Sequence, residues 1–460
     1  VTGAGPTGQA GVHAKVEVAV VGGGLSGLVC ARRLAAAGQR VLVLEAADRV
    51  GGRTWTTRLA EAPIDLGGTF VGPTQHRVLA LADELGCATV PTFDDGEHLV
   101  SWRGRLRRYR GTIPSLPAAA LIDVERVRRT LSWRLRRIDP AAPWAAPKAA
   151  RLDRHTVGSW LAHVGARRST FDLMAMVTKV SWGCEPGELS LLHLLAYVGG
   201  CGGLDPMLDT RGGAQEAHFV DGAQSLSTRM AAALGDAVVL GAPVRAISQQ
   251  PTGVTLTTNA GTVTAEAAVL AIPPALRAGI AFDPALPPLA SGLVHRWPQG
   301  ALSKFYAAYT EPFWRHEGLS GQALADRGPI CITFDTSPPD GPGILLGFIG
   351  GDDARRYDQL PPDERRHEAL AALAELFGPQ AGRPIATAEQ RWAAEPFCAG
   401  GPTAAVPPGA WSAYGPALRA PVGRIVMAGT ETADRWSGFM DGAVVAGERA
   451  AQQVTALIGR

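Results

Sequence analysis

The apolar and polar positions of residues 16–45 change period twice. Val16–Val21 is a short apolar run of the kind a buried parallel strand needs. Helical spacing follows from about Leu25 to Ala37, and Gly38 stops it. A second apolar run, Val41–Leu44, ends at Glu45, so the segment reads as a βαβ unit. Further on, apolar residues at 121, 124, 127, 131, 135 and 138 form a helical stripe with arginines on the other face. "SWRGRLRRYRG" begins as a strand and "DPAAPWAAPKAA" is a loop. "SLSTRMAAAL" predicts a helix, followed by short β-rich runs to residue 273, and "ALSKFYAAY" (301–309) predicts a strand. No internal repeat is evident.

Composition narrows the class. A chain of 460 residues, 46% hydrophobic and 19% charged, can bury a large core and divide into domains. The net charge of +2 implies no nucleic-acid partner. The Arg-rich stretch 103–137 reads as a solvated helix face, with an anionic partner as the lesser alternative. No apolar run reaches the ~18 residues of a membrane span. Cys30, Cys87, Cys184, Cys201, Cys331 and Cys398 form no CxxC pair, and the ten histidines form no HxxxH. The expectation is a reducing, cytoplasmic home and no metal. Residues 1–15, "VTGAGPTGQAGVHAK", lack the apolar core of a signal peptide and predict a disordered leader.

The candidate chemistry begins at Gly22-x-Gly24-x-x-Gly27, between the first strand and its helix. Glycines allow the tight turn, and the helix start at Leu25 and Ser26 offers backbone N–H groups to a pyrophosphate. Glu45 closes the second strand 18 residues after Gly27, where a carboxylate can hold ribose hydroxyls. Gly51, Gly52 and Arg53 follow, a segment that a nicotinamide enzyme does not need. Lys304 is one of only four lysines, with Lys15, Lys148 and Lys179, and lies in an apolar strand. A buried lysine is costly without a partner or a task.

With "EAADRVGGRTWT", "DLGGTFVGPTQHRVLALADELG" (65–86), "YVGGCGG" (197–203), "GGAQE" (212–216), "KFYAAYTEPFWR" and "MAGTETADRWSGFMDGAVVAGERAA" (427–451), the chain resembles the flavin-dependent amine oxidases of monoamine oxidase type along most of its length. The resemblance implies an α/β fold of two intertwined domains. A Rossmann-like FAD domain would draw on 16–89, 220–293 and 392–460. A substrate domain of mixed sheet and helices would draw on 90–219 and 294–391. It implies cofactor contacts at Gly67, Gly68, Thr69, Val244, Trp392, Thr430, Glu431, Gly438, Phe439, Met440 and Ala443, besides the glycine turn, Glu45 and Arg53. Lys304 takes the place of the lysine that holds a water against the flavin. Substrate-cavity positions fall on Val180, Ser181, Met207, Leu208, Gln215, Ile332 and Phe348.

The family's tethering cysteine falls on Gly401, three residues after Cys398, so the FAD is expected to be non-covalent. The two tyrosines that often flank the amine are replaced by Pro402 and Phe439. No acid stands among these positions for a second ammonium, and "GPTQ" (72–75) lacks a carboxylate-gripping arginine. A hydrophobic primary monoamine is the expected substrate, oxidised to an imine while oxygen becomes hydrogen peroxide. Its expected partners are the amine and oxygen, with a homodimer as one possible assembly. Two other readings stay open: another flavin oxidoreductase of this fold (a desaturase or dehydrogenase), and a low-turnover flavin scaffold that binds a partner through residues 103–137.

Overall fold

The structure is a computed structural model that describes residues 13–111, 114 and 117–459. The first twelve residues of the expected leader lie outside the described residues. Ala14–Lys15 corrects that expectation: it is an edge strand, paired in parallel with Gly261–Ala265.

The four residues Val18–Val21 are fully covered, as their unbroken apolar pattern requires of a central strand. They sit in the middle of a five-stranded parallel sheet ordered Val238–Val239, Val41–Leu44, Val18–Val21, Ala267–Leu270, Ile425–Met427. Its strands come from three distant parts of the chain. The helix Leu25–Ala36 buries Leu28, Val29 and Leu34 against it and packs on the last helix, Met440–Leu457. A second five-stranded sheet is built on the meander Val244–Gln250, Gly253–Thr258 and Gly261–Ala265.

A seven-stranded mixed sheet forms the other large layer. Its order is Ala386–Arg391, Leu302–Tyr309, Gly343–Gly350, Ile332–Asp335, Leu319–Ala325, Glu97–Trp102, Arg105–Tyr109. Leu302–Tyr309 is buried along all eight residues because it is central and covered on both faces. "SWRGRLRRYRG" proves to be a hairpin, with Arg103 and Gly104 at positive φ in its turn. The predicted stripe is the helix Ala118–Leu135, which buries Val127 and Leu131 but leaves Leu121 partly exposed. Most of its arginines meet acids: Arg126 pairs with Asp123, Arg128 with Glu125 and Asp205, and Arg129 with Glu125. That is the solvated face the sequence suggested. No described helix is long and apolar enough to cross a membrane, and no described cluster of His, Cys, Asp and Glu could hold a metal ion.

Candidate active site

Between these layers lies one cavity of about 1390 Å³. A pocket for a single small ligand is typically about 300–1,000 Å³. This one is larger and continuous, from the glycine turn at residues 22–24 to the hairpin at residues 98–109.

The turn shows why glycine stands where it does. Gly22 has φ +103°, and a Cβ there would sit 2.9 Å from Ala271 O. At Gly24 an added Cβ would meet nothing closer than 3.9 Å, so that position opens into the cavity. The helix it begins has no side-chain cap and no acid in its first turn, so its leading N–H groups are free for an anion. Glu45 accepts from Gly23 N at 2.5 Å and Ala47 N at 2.8 Å. Burial raises its pKa above the usual carboxylate range, against the pull of these amides.

Gly67, Gly68 and Thr69 cross the cavity floor, held from below by Lys304 and Trp392. Trp392 Nε1 donates to Leu66 O at 2.9 Å. On the far wall Gly438 leads into the last helix at φ +85°, and a Cβ there would meet Tyr197 Oη at 2.7 Å. Phe439 is that helix's N-cap and offers no side-chain cap. Val244, Thr430, Met440 and Ala443 also line the cavity. A glycine turn, an uncapped helix start and a ribose-sized acid in one elongated cavity fit a dinucleotide such as FAD.

Lys304 is 2% exposed, and burial depresses its pKa far below the ordinary lysine value, with Asp65 pulling the other way. Asp65 is buried too, and desolvation raises it. Beyond Lys304 the cavity continues between Val180, Ser181, Met207, Leu208, Gln215, Ile332, Phe348, Pro402 and Phe439. Gln215 Nε2 donates to Met207 O at 3.3 Å, while its Oε1 has no partner.

Two expected contacts do not reach the cavity. Gly27 is packed away from it, because a Cβ there would lie 2.0 Å from Gly22 O. Its role is to let helix and strand approach. Glu431 stands behind Arg53, which itself lines the cavity, and pairs with it at 2.7 Å. Burial alone would raise Glu431; the Arg53 guanidinium outweighs it and holds the carboxyl below the usual range.

Sequence reasoning also missed part of the wall. Tyr197 lines the cavity and packs on Phe439, with ring centroids 5.8 Å apart, so an aromatic pair stands there although position 402 is proline. It lay inside the quoted "YVGGCGG", unmarked as a site residue. The outer end of the cavity carries Asp94, Asp95, Asp205, Asp209, His98 and Arg211. Arg211 Nε lies 2.9 Å from Asp94 Oδ2, and its Nη2 lies 2.8 Å from Asp95 Oδ1. Acids therefore do line the cavity, at its mouth. Asp94, Asp95 and Asp209 lie in loops and Asp205 in the short helix Leu204–Leu208, and no local pattern announces the packing that brings them together.

The chain matches the family described as flavin containing amine oxidoreductase over residues 25–455. It belongs to that family. This amine oxidase is 52% identical over 444 residues to a Mycobacterium tuberculosis protein named as a flavin-containing monoamine oxidase, which covers 96% of this chain and 97% of that one. Among solved structures it resembles putrescine oxidase bound to putrescine, with a TM-score of 0.93, 31% identity and coverage of 96% and 99% of the two chains. It also resembles cyclohexylamine oxidase from Brevibacterium oxydans, with a TM-score of 0.92, 36% identity and coverage of 97% and 100%. The fold is that of the flavin amine oxidases, and the enzyme is an FAD-dependent oxidoreductase acting on amines.

Proposed function

We propose that this oxidase acts on hydrophobic primary monoamines, giving an imine that hydrolyses to aldehyde or ketone, with oxygen reduced to hydrogen peroxide. One observation carries the reading. The cavity beside the glycine floor is walled by Val180, Met207, Leu208, Ile332, Phe348 and Phe439, whereas Glu45 stands at the glycine turn and Asp95 and Asp205 are solvent-exposed. Apolar walls disfavour the ammonium and favour the neutral amine, the form that reacts. Gln215, with an unpartnered Oε1, offers the amine an uncharged acceptor.

Bound FAD supplies the two-electron acceptor. Arg53, Thr69, Val244, Thr430 and the two uncapped helix starts would hold it without a covalent bond, since Gly401 stands at the tether position. The FAD domain would comprise 16–89, 220–293 and 392–460, and the substrate domain 90–219 and 294–391. Lys304 is the acid–base group of the floor. The test is a panel of aryl- and cycloalkylamines, diamines and amino acids scored by peroxide release. Peroxide with the first class supports the reading. No peroxide from any amine, with the flavin still bleached anaerobically, would make the enzyme a dehydrogenase. An unbleached flavin would favour the scaffold.

A further inference from the structure

The Lys304 ammonium has four oxygen neighbours. Its Nζ lies 2.8 Å from Asp65 O, 2.6 Å from Gly67 O, 2.6 Å from Thr69 Oγ1 and 3.3 Å from Tyr306 Oη. These neighbours are not equivalent. The two carbonyls can only accept. The Tyr306 hydroxyl gives its hydrogen to Asp65 O at 2.5 Å, so towards Lys304 it too can only accept. Of the two hydroxyls, Thr69 is the nearer to Nζ, at 2.6 Å against 3.3 Å for Tyr306, and the Tyr306 hydrogen is engaged by Asp65 O, so Thr69 is the better placed to reverse. Its hydroxyl can take a hydrogen from Lys304 and donate to Gly67 O, 3.2 Å away, or turn and donate to Lys304 itself.

That asymmetry settles which position on the nitrogen can titrate. Of the three short contacts, those to Asp65 O and Gly67 O are to carbonyls, which accept whether the group is an ammonium or an amine. The third position, which holds either a proton or a lone pair, must face a group that can answer both, and that group is Thr69. Of the two hydroxyls only Thr69 lines the cavity, beside Lys304 itself. Asp65 is the one charge recorded as acting on Lys304, and its carboxylate accepts from Thr56 Oγ1 and Ala223 N. On the neighbouring strands Phe348 and Gln390 stand beside Lys304, and neither titrates.

We propose that Thr69 is the proton conduit between Lys304 and the substrate cavity. With the Thr69 hydroxyl turned from Gly67 O towards a cavity water, an N–H bond of the Lys304 ammonium breaks as an O–H bond forms at Thr69, and Thr69's former hydrogen passes to that water. The nitrogen keeps the electron pair and becomes neutral, the water becomes hydronium, and the reverse path recharges the lysine. Thr69 is thus a positioning and relay residue that acts through Lys304. The proposal rests on Lys304 being the acid–base group, and its test separates the two ideas.

Four lysines make the titration directly readable. The holoenzyme is labelled with ¹³Cε-lysine, and Lys304→Met identifies the Lys304 signal by subtraction. Thr69→Val keeps the shape and removes the hydroxyl; Thr69→Ser keeps the hydroxyl. In Thr69→Val the ammonium loses a charge-assisted partner, so the Lys304 midpoint should fall by about one pH unit, a tenfold change. Flavin reduction or reoxidation, followed by stopped flow, should slow about tenfold or more, within the range of positioned acid–base help. Thr69→Ser should restore both. An unmoved midpoint and unchanged rates in Thr69→Val would overturn the proposal, as would a Thr69→Ser that behaves like Thr69→Val. Loss from Lys304→Met alone would leave the lysine reading intact and remove Thr69 from it. If Thr69→Val does not retain FAD, Thr69→Ala gives the same two readings.

Discussion

Arg53 and Glu431 face each other with two prongs: Nη1 lies 2.7 Å from Oε1, and Nη2 donates to Oε2 at 3.2 Å. The Glu431 side chain is 2% exposed, whereas Arg53 keeps 22%, on the cavity side. Removing one partner of a buried pair costs roughly 3–5 kcal/mol when the other charge stays buried, and less where water can reach it. The order of damage follows. Arg53→Met strands the Glu431 carboxylate in the core; Glu431→Gln leaves a guanidinium that still reaches the cavity. Arg53→Met should therefore lose more flavin and more Tm than Glu431→Gln, by absorbance ratio and thermal unfolding. Equal or reversed losses would mean that Glu431 is not the dependent partner.

Cys398 and Gly401 both line the cavity. Burial pushes the Cys398 thiol up to about 11, against Arg53 and Arg49, so it is no thiolate at neutral pH. A Cβ at Gly401 would come no closer than 3.5 Å to Trp392, so a side chain fits there. Acid precipitation should release all the flavin from the parent and from Cys398→Ser. In Gly401→Cys, part of it should stay in the pellet. Flavin in the parent's pellet would show a tether and overturn the non-covalent reading.

At the mouth, the Arg211 side chain is 71% exposed and that of Asp95 is 82% exposed. Such an ion pair contributes about 0–1 kcal/mol, so Asp95→Asn should leave Tm unchanged. The parent should prefer arylalkylamines over putrescine-like diamines in kcat/KM. The Asp94→Asn, Asp95→Asn double variant should lower kcat/KM for both by a similar factor, damped by salt, as steering charges do. A parent that prefers the diamine, with that preference gone in the double variant, would make these acids a second ammonium site.

Three buried imidazoles, His98, His193 and His218, tie stability to pH. Burial lowers His193 to about 3 and His218 to about 4. Unfolded histidine titrates near 6.5, so as pH falls below that value the unfolded chain takes up protons that the folded one refuses. The imidazoles' contribution is therefore complete above about 6.5 and is lost below it, at roughly 1.4 kcal/mol per pH unit for each. His218 Nδ1 has no partner, so His218→Leu removes one titrating group without orphaning another. Urea unfolding at pH 7.5 and 5.5 should show a large drop in the parent and a smaller one in His218→Leu. Equal drops would exclude His218 as a source.

Lys304→Met keeps length and apolar packing on an otherwise buried strand, so FAD content should persist. One or both flavin half-reactions should fall by about 10²–10⁴-fold. If both stay within about twofold of the parent, well below that range, Lys304 is structural.

The legible parts were those in which one short segment carries its own physics. The βαβ turn, Glu45 and the lysine in an apolar strand declared themselves through local cost: a glycine where a Cβ would collide, a charge where water is excluded. Gly27 and Glu431 stand behind the cavity lining, because motif spacing does not say which side of a backbone faces the cavity. Asp94 and Arg211 are 117 residues apart in the chain and meet only through loop packing. Tyr197 stands in the quoted "YVGGCGG" with no role of its own, because an aromatic in a buried helix carries no local sign of the cavity it faces. Ala14–Lys15 gained order from a strand edge supplied some 250 residues later, which composition alone could not reveal.

The central parallel sheet has a consequence for how the enzyme is made. Val18–Val21 is synthesised early, yet its sheet is complete only when Ile425–Met427 arrives, roughly 400 residues later. The helix carrying Met440, which walls the cavity beside Phe439, comes later still. Pairings over such separations are slow to form, and a partly built sheet exposes sticky edges meanwhile. The emerging chain thus has no finished flavin cradle while the ribosome is still adding its middle half. Cofactor loading becomes the closing event of biogenesis, and flavin supply in the cell should govern how much chain survives to the native state.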